Sequence, residues 1–353
     1  MQSSQLNRRM QRRWLLGTVA LLAVLAAAAV LLQWADWTGG SEEETPSTAP
    51  STAPATPSLP PAPLAPVSVR DAVPLTLPQE LRAASGAVYL EAGERYVASF
   101  EVSTVKPEDE PGLGMYLGVT FSCSGEDSGA SSWIGGTENL LRGEPVTYAN
   151  QMLLEPEADQ VVTCSVRANA PYDDVAAAGA TVDLDISWTV EKADGPARFT
   201  PAEQRLPMAV NSGGGREFAF TELVDVEDGG IRQIKVLSSL HLTTCTVVNG
   251  SREAGRTWCQ EETLHEEGSD FDIELRLDVL DEDGATCGTV NVDEERQTLS
   301  LERHHQLIAR EATFALPQTL CGPTVRASVV VENRGPAPLV VHASNSSMLT
   351  LVE

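Results

Sequence analysis

Six cysteines carry the plainest chemistry in this 353-residue chain, at positions 123, 164, 245, 259, 287 and 321. Thiolate metal sites need short C-x-x-C spacings, and this chain has none. An even cysteine count in an oxidising compartment reads instead as disulfides. Six cysteines allow 15 connectivities. The expected pairing is Cys123–Cys164, Cys245–Cys259 and Cys287–Cys321. Cys245 and Cys259 flank Asn249-Gly250, a strong hairpin-turn dipeptide that would bring them side by side. The competing arrangement joins Cys245 to Cys321 and Cys259 to Cys287.

Other reactive side chains form no recognisable constellation. Asp281-Glu282-Asp283-Gly284 is the best calcium candidate, because clustered carboxylates before a glycine turn suit a hard cation. In the EF-hand frame set by Gly284, however, Val279 takes the first ligand position and Val290 the twelfth. Asp283-Gly284 after an alternating strand reads better as a hairpin turn, so Asp281 and Asp283 remain a weak metal candidate. There are five histidines. His304 and His305 are adjacent, so on a strand they point to opposite faces and do not jointly hold one metal; both are expected at the surface. No nucleophile elbow, H-E-x-x-H, P-loop or paired zinc motif occurs. No catalytic residue, cofactor or metal is therefore expected, and the chain reads as not an enzyme.

The elements that would position these residues are strands. Val182, Leu184, Ile186, Trp188 and Val190 alternate with Asp183, Asp185, Ser187, Thr189 and Glu191. Phe271, Ile273, Leu275, Leu277 and Val279 alternate with Asp272, Glu274, Arg276 and Asp278. Ala98, Phe100 and Val102 share a face, as do Leu117, Val119, Phe121 and Cys123, and Val162, Cys164 and Val166. Period two marks half-buried strands. Cys123 and Cys164 fall on the apolar parity of their strands, so both point into one core and are expected to bridge two sheets. With Trp133 between them, the arrangement resembles the cysteine, tryptophan, cysteine pattern of immunoglobulin-like sandwiches. The resemblance implies a sandwich architecture and no family membership.

The fold class is all-β: two tandem β-sandwich domains, immunoglobulin-like or jelly-roll-like, at residues 67–192 and 205–353. The break between them is Glu191–Arg205. The halves carry hints of duplication: Gly93-Glu94-Arg95 has a counterpart in Gly215-Arg216-Glu217, and Cys287 with Cys321 repeats the layout of Cys123 with Cys164.

What precedes the strands places them. Leu15 to Leu32 is an uncharged apolar run that spans about 27 Å as a helix, close to a bilayer core. A transmembrane helix is expected over 14–34, with Trp14, Trp34 and Trp37 at its borders. Arg8, Arg9, Arg12 and Arg13 stand before it, so residues 1–13 form a cytoplasmic tail and the remainder is exported. A cleaved signal peptide is the rival reading. Residues 35–66 form a stalk rich in Pro, Ser, Thr and Ala, which proline biases towards extended conformations.

The whole chain carries a net charge of −26, and the exported part about −30. Such a surface repels nucleic acid and anionic polymers. Hydrophobic residues make up 42 %, enough for packed cores. The expected partners are the membrane, through Leu15–Leu32, and a surface protein or glycan, with no nucleic acid. The leading reading is a cell-membrane, single-pass protein displaying a binding, adhesion or sensing head. The alternative is a cell-surface hydrolase or carbohydrate-active enzyme whose carboxylates meet only in three dimensions.

Overall fold

The computed structural model describes residues 62–76, 80–105, 115–125, 131–169, 181–201, 206–226, 231–246 and 265–352. Residues 1–13, the apolar run, most of the stalk, Asn249-Gly250 and Cys259 lie outside these residues. Every regular element among the described residues is a strand. No helix among them is long and apolar enough to cross a membrane.

The first half contains β1 (Val67–Thr76), β2 (Leu81–Leu90), β3 (Tyr96–Val105), β4 (Met115–Gly125), β5 (Ser131–Leu140), β6 (Pro145–Leu154), β7 (Gln160–Asn169) and β8 (Thr181–Lys192). They form two four-stranded sheets, ordered β1-β8-β3-β6 and β2-β7-β4-β5. Between the sheets lies one core, to which β8 contributes every second residue from Val182 to Val190. Trp188 sits at its centre, tilted against Phe121 at 5.8 Å, with its indole donating to Ala84 O.

The second half contains β9 (Ala197–Pro201), β10 (Met208–Val210), β11 (Gly215–Asp225), β12 (Gln233–Thr244), β13 (Ser269–Leu280), β14 (Thr286–Leu299), β15 (His305–Ala315), β16 (Thr324–Asn333), β17 (Leu339–Val341) and β18 (Ser347–Val352). One sheet runs β11-β16-β13-β14. The other runs β10-β17-β12-β18-β9, with β15 on the opposite side of β12. A second core fills the space between them. Counted one to eight from β10 to β17, these strands repeat the pairing order of the first half: 1-8-3-6 over 2-7-4-5. β9 is a strand within the stretch read as a break, because its backbone completes the open edge of β18.

Three sequence expectations are corrected here. Cys123 and Cys164 are bridged, but as directly opposed residues of neighbouring strands β4 and β7 within one sheet. Shared core parity shows which face a cysteine is on and not which strand it meets. Trp133, on edge strand β5, is 57 % exposed. The core tryptophan is Trp188, so the immunoglobulin-like pattern does not describe this sandwich. Cys287 of β14 is bridged to Cys321 in the segment leading into β16, a layout unlike the first bridge.

One face of the second half is turned towards the first. On β12, Ile234, Val236, Leu240 and Leu242 point into their own core. Leu237, Ser239, His241 and Thr243 have the opposite parity and are buried as well. Leu307 of β15 packs into the first half's core. Ser239 Oγ donates to Ala149 O at 3.1 Å, and Ser347 Oγ donates to Asn150 Oδ1 at 2.9 Å. Asn150 Nδ2 in turn donates to Asn345 O at 2.9 Å.

Candidate functional site

Two features share this face. At one end β15, β12 and the residue after β17 bring three histidines together. The register sets Thr243 opposite His305, and His342 N donates to His241 O at 2.9 Å. One ring nitrogen from each of His241, His305 and His342 lies within 4.8 Å of the others. His241 Nε2 is 3.5 Å from His305 Nδ1. Thr243 Oγ1 sits 2.8 Å from His305 Nδ1 and 2.5 Å from His342 Nε2. The His241 and His342 rings stack at 4.5 Å between centroids.

Burial lowers His241 to about 3, helped by the neighbouring His342, while a contact with Ser344 O opposes the shift. His241 is therefore neutral at physiological pH, with its Nδ1 facing that carbonyl at 3.3 Å. A neutral imidazole is the form that ligates metals.

His304 and His305 are both buried, against the surface placement expected for them. The cause is the packing of β15 beneath β5: His305 N donates to Asn139 Oδ1 at 2.7 Å. Beside it Arg303 reaches the buried carboxylate of Glu138 at 2.7 Å. Burial outweighs that arginine and raises Glu138 to about 7.

At the other end of the face, a cleft of about 320 Å³ runs between the halves. The first half lines it with Ser99, Glu101, Asn150, Gln151, Ser187 and Thr189. The second half adds Ser238, Ser239, Arg310, Glu311 and Ser347. Among the described residues, Ser238 Oγ has no hydrogen-bond partner. Glu311 pairs with Lys235 at 2.7 Å, and Arg310 with Glu295 at 2.7 Å and with Asp293. Hydroxyls, amides and a carboxylate from each half line this cleft, together with Phe100, Trp188, Leu237 and Leu349.

Asp281 caps the β13–β14 turn: its Oδ1 accepts from Asp283 N at 3.1 Å and Ala285 N at 2.8 Å. Gly284 supplies the positive φ of 79° that the turn needs. Asp283 is exposed at the tip. Cys245 is disulfide-bonded, and Cys259, its expected partner, lies outside the described residues. The competing bridge from Cys245 to Cys321 is absent, since Cys321 is held by Cys287.

Neither the histidine cluster nor the cleft was expected from the sequence. The histidines are 64 and 37 positions apart in the chain, and only strand pairing unites them. One signal was available: Leu237 to Thr246 has no charged residue, the mark of a strand buried on both faces.

No protein-family model and no curated protein matches the chain. Among solved structures, it is similar to infectious bursal disease virus, Gt strain, at 14 % identity and TM-score 0.29, over 80 % of this chain and 70 % of that one. It is similar to a peptide-N(4)-(N-acetyl-beta-D-glucosaminyl) asparagine amidase at 10 % identity and TM-score 0.33, over 80 % and 96 %. It is also similar to the CBM22-1-CBM22-2 tandem domain of Paenibacillus barcinonensis Xyn10C at 13 % identity and TM-score 0.22, over 75 % and 82 %. The expectation that the chain is not an enzyme is withdrawn: carboxylates from both halves line one cleft, and an all-β build is no bar to catalysis.

Proposed function

We propose that this chain is a membrane-anchored, outward-facing protein that takes a polar chain, a glycan above all, into the cleft between its halves and hydrolyses it with carboxylates. The observation that carries the reading is the cleft itself. Glu101 comes from one half and Glu311 from the other, set among hydroxyl and amide side chains that suit sugar hydroxyls. Paired carboxylates in one cleft are the working parts of glycoside hydrolysis, one protonating the leaving oxygen and the other activating water or attacking. The strand order 1-8-3-6 over 2-7-4-5, present twice, supports a jelly-roll-like description of both sandwiches over an immunoglobulin-like one. Export is supported by the four arginines before Leu15–Leu32 and by the two bridges Cys123–Cys164 and Cys287–Cys321. The acidic surface disfavours anionic polymers and leaves neutral or basic chains as ligands.

The test is a glycan array probed with the full-length protein in detergent, followed by turnover assays on the glycans it retains. Glu101→Gln and Glu311→Gln should keep binding and lower turnover by about 10²–10⁴-fold, the usual size of an acid–base contribution. Binding without turnover would favour the display-head reading, and turnover indifferent to both substitutions would end the carboxylate mechanism.

A further inference from the structure

We propose that His241, His305 and His342 form a binding site for one divalent transition-metal ion of the zinc class, held by three imidazole nitrogens on the buried face of the second half. The site is separate from the cleft carboxylates and stands whether or not the cleft proves hydrolytic.

The geometry fits the ion. A tetrahedral centre with metal–nitrogen bonds of about 2.0–2.1 Å sets its ligand nitrogens about 3.3 Å apart. His241 Nε2 and His305 Nδ1 already stand at 3.5 Å. All three nitrogens are within 4.8 Å, so small ring rotations close the triangle. Three histidines with one position left over is also the ligand count of open zinc sites. Thr243 Oγ1, in contact with His305 Nδ1 and His342 Nε2, stands beside that fourth position.

The support behind the ligands points the same way. Ser344 O faces His241 Nδ1 at 3.3 Å, which places the ring proton there and leaves Nε2 to ligate. A backbone carbonyl behind a histidine is the usual device for fixing tautomer and ring direction at a metal. The backbones are fixed as well: His305 N donates to Asn139 Oδ1, His241 N to Ser346 Oγ at 2.9 Å, and His342 N to His241 O. The donor set selects among ions. Three imidazoles suit zinc, copper or nickel, whereas calcium and magnesium demand oxygen.

The experiment uses full-length protein in detergent, stripped with a chelator and titrated with Zn²⁺ against a chromophoric competitor. One equivalent should bind, and the melting temperature should rise with Zn²⁺ and not with Ca²⁺. His342→Gln and His305→Ala should each weaken binding by more than the 10–100-fold that even a residue behind a ligand costs. His265→Ala, at a half-buried bridge position opposite Thr246 and outside the cluster, should bind as the parent does. Co²⁺ in place of Zn²⁺ should give the visible spectrum of a low-coordinate nitrogen site, which is a readout independent of folding stability. Failure of the stripped parent protein to bind one Zn²⁺ overturns the proposal. So does one-equivalent binding that survives His342→Gln, or that is lost in His265→Ala.

Discussion

Leu307 belongs to the second half in sequence and to the first half's core in space, which makes the junction testable by a double-mutant cycle. Its side chain is buried against β5 and β6. Gly136 of β5 faces it so closely that a Cβ there would lie 2.6 Å from Leu307 Cδ2 and 3.0 Å from Tyr148 Cδ1. Leu307→Ala removes three carbons, about 2.4 kcal/mol of transfer energy at about 0.8 each. The cavity left between two sheets raises the cost to about 2.7–5 kcal/mol. Gly136→Ala overpacks the same spot and should cost about 1–3 kcal/mol. In the double variant the new methyl enters the space that Leu307 vacated. The two losses should therefore fall short of additivity by about 0.5–3 kcal/mol. Urea unfolding of the four proteins, followed by tryptophan fluorescence and by circular dichroism, measures the cycle. Additivity within about 0.5 kcal/mol would refute the packing argument. Unfolding of the first half unchanged by Leu307→Ala would refute the shared core.

Two further predictions concern stability. Replacing Cys123 and Cys164 together by Ala opens a loop with a sequence separation of 41, and the chain-entropy model gives about 4 kcal/mol for that loop; a matched fall in denaturation midpoint checks it. Glu138 is raised to about 7 because burial outweighs Arg303, so the folded state favours its protonated form. A carboxyl with a raised folded value stabilises below its unfolded value, near 4.3, and loses that contribution as pH climbs through about 7. Melting temperature against pH should therefore fall across this window in the parent and be flatter in Glu138→Gln; equal slopes would count against the assignment.

Much of the strand grammar was legible. Alternation placed Ala98, Phe100 and Val102, and Val182 to Val190, on the sides that the cores now occupy. Period two reports a face, because side chains alternate across a strand. It carries no information about the neighbour a strand will find. That is why the first bridge was expected between sheets and lies within one, and why Trp133 was given the place that Trp188 holds. The alternate residues of β13 show a second limit. Alternation predicts Asp272, Glu274 and Asp278 on the exposed side of a half-buried strand, yet they are buried beneath arginines from elsewhere in the chain: Arg296 and Arg334 on Asp272, Arg216 on Glu274, Arg326 on Asp278. Burial pushes Asp272 up, but the hydrogen bonds from Arg296 and Arg334 prevail and keep it below its ordinary value. A cluster assembled from residues 241, 305 and 342 was beyond local pattern altogether, since its members share no period and meet only through register.

The pairing of β9 with β18 has a consequence for how a ligand would be met. Five residues of the connection, Ala197 to Pro201, are locked to Ser347–Leu351 as a sheet edge, and Val352 N donates to Pro196 O at 2.9 Å. Only Ala193 to Gly195 remain between that edge and the end of β8, and Ala193 N is itself held by Arg95 O. Closing the halves over the cleft would therefore have to disturb the packing of Leu307 in the first half's core. The cleft walls stand preorganised, so little conformational entropy is lost on filling them. Association should then be single-step, limited by encounter and desolvation and free of a slow closing phase.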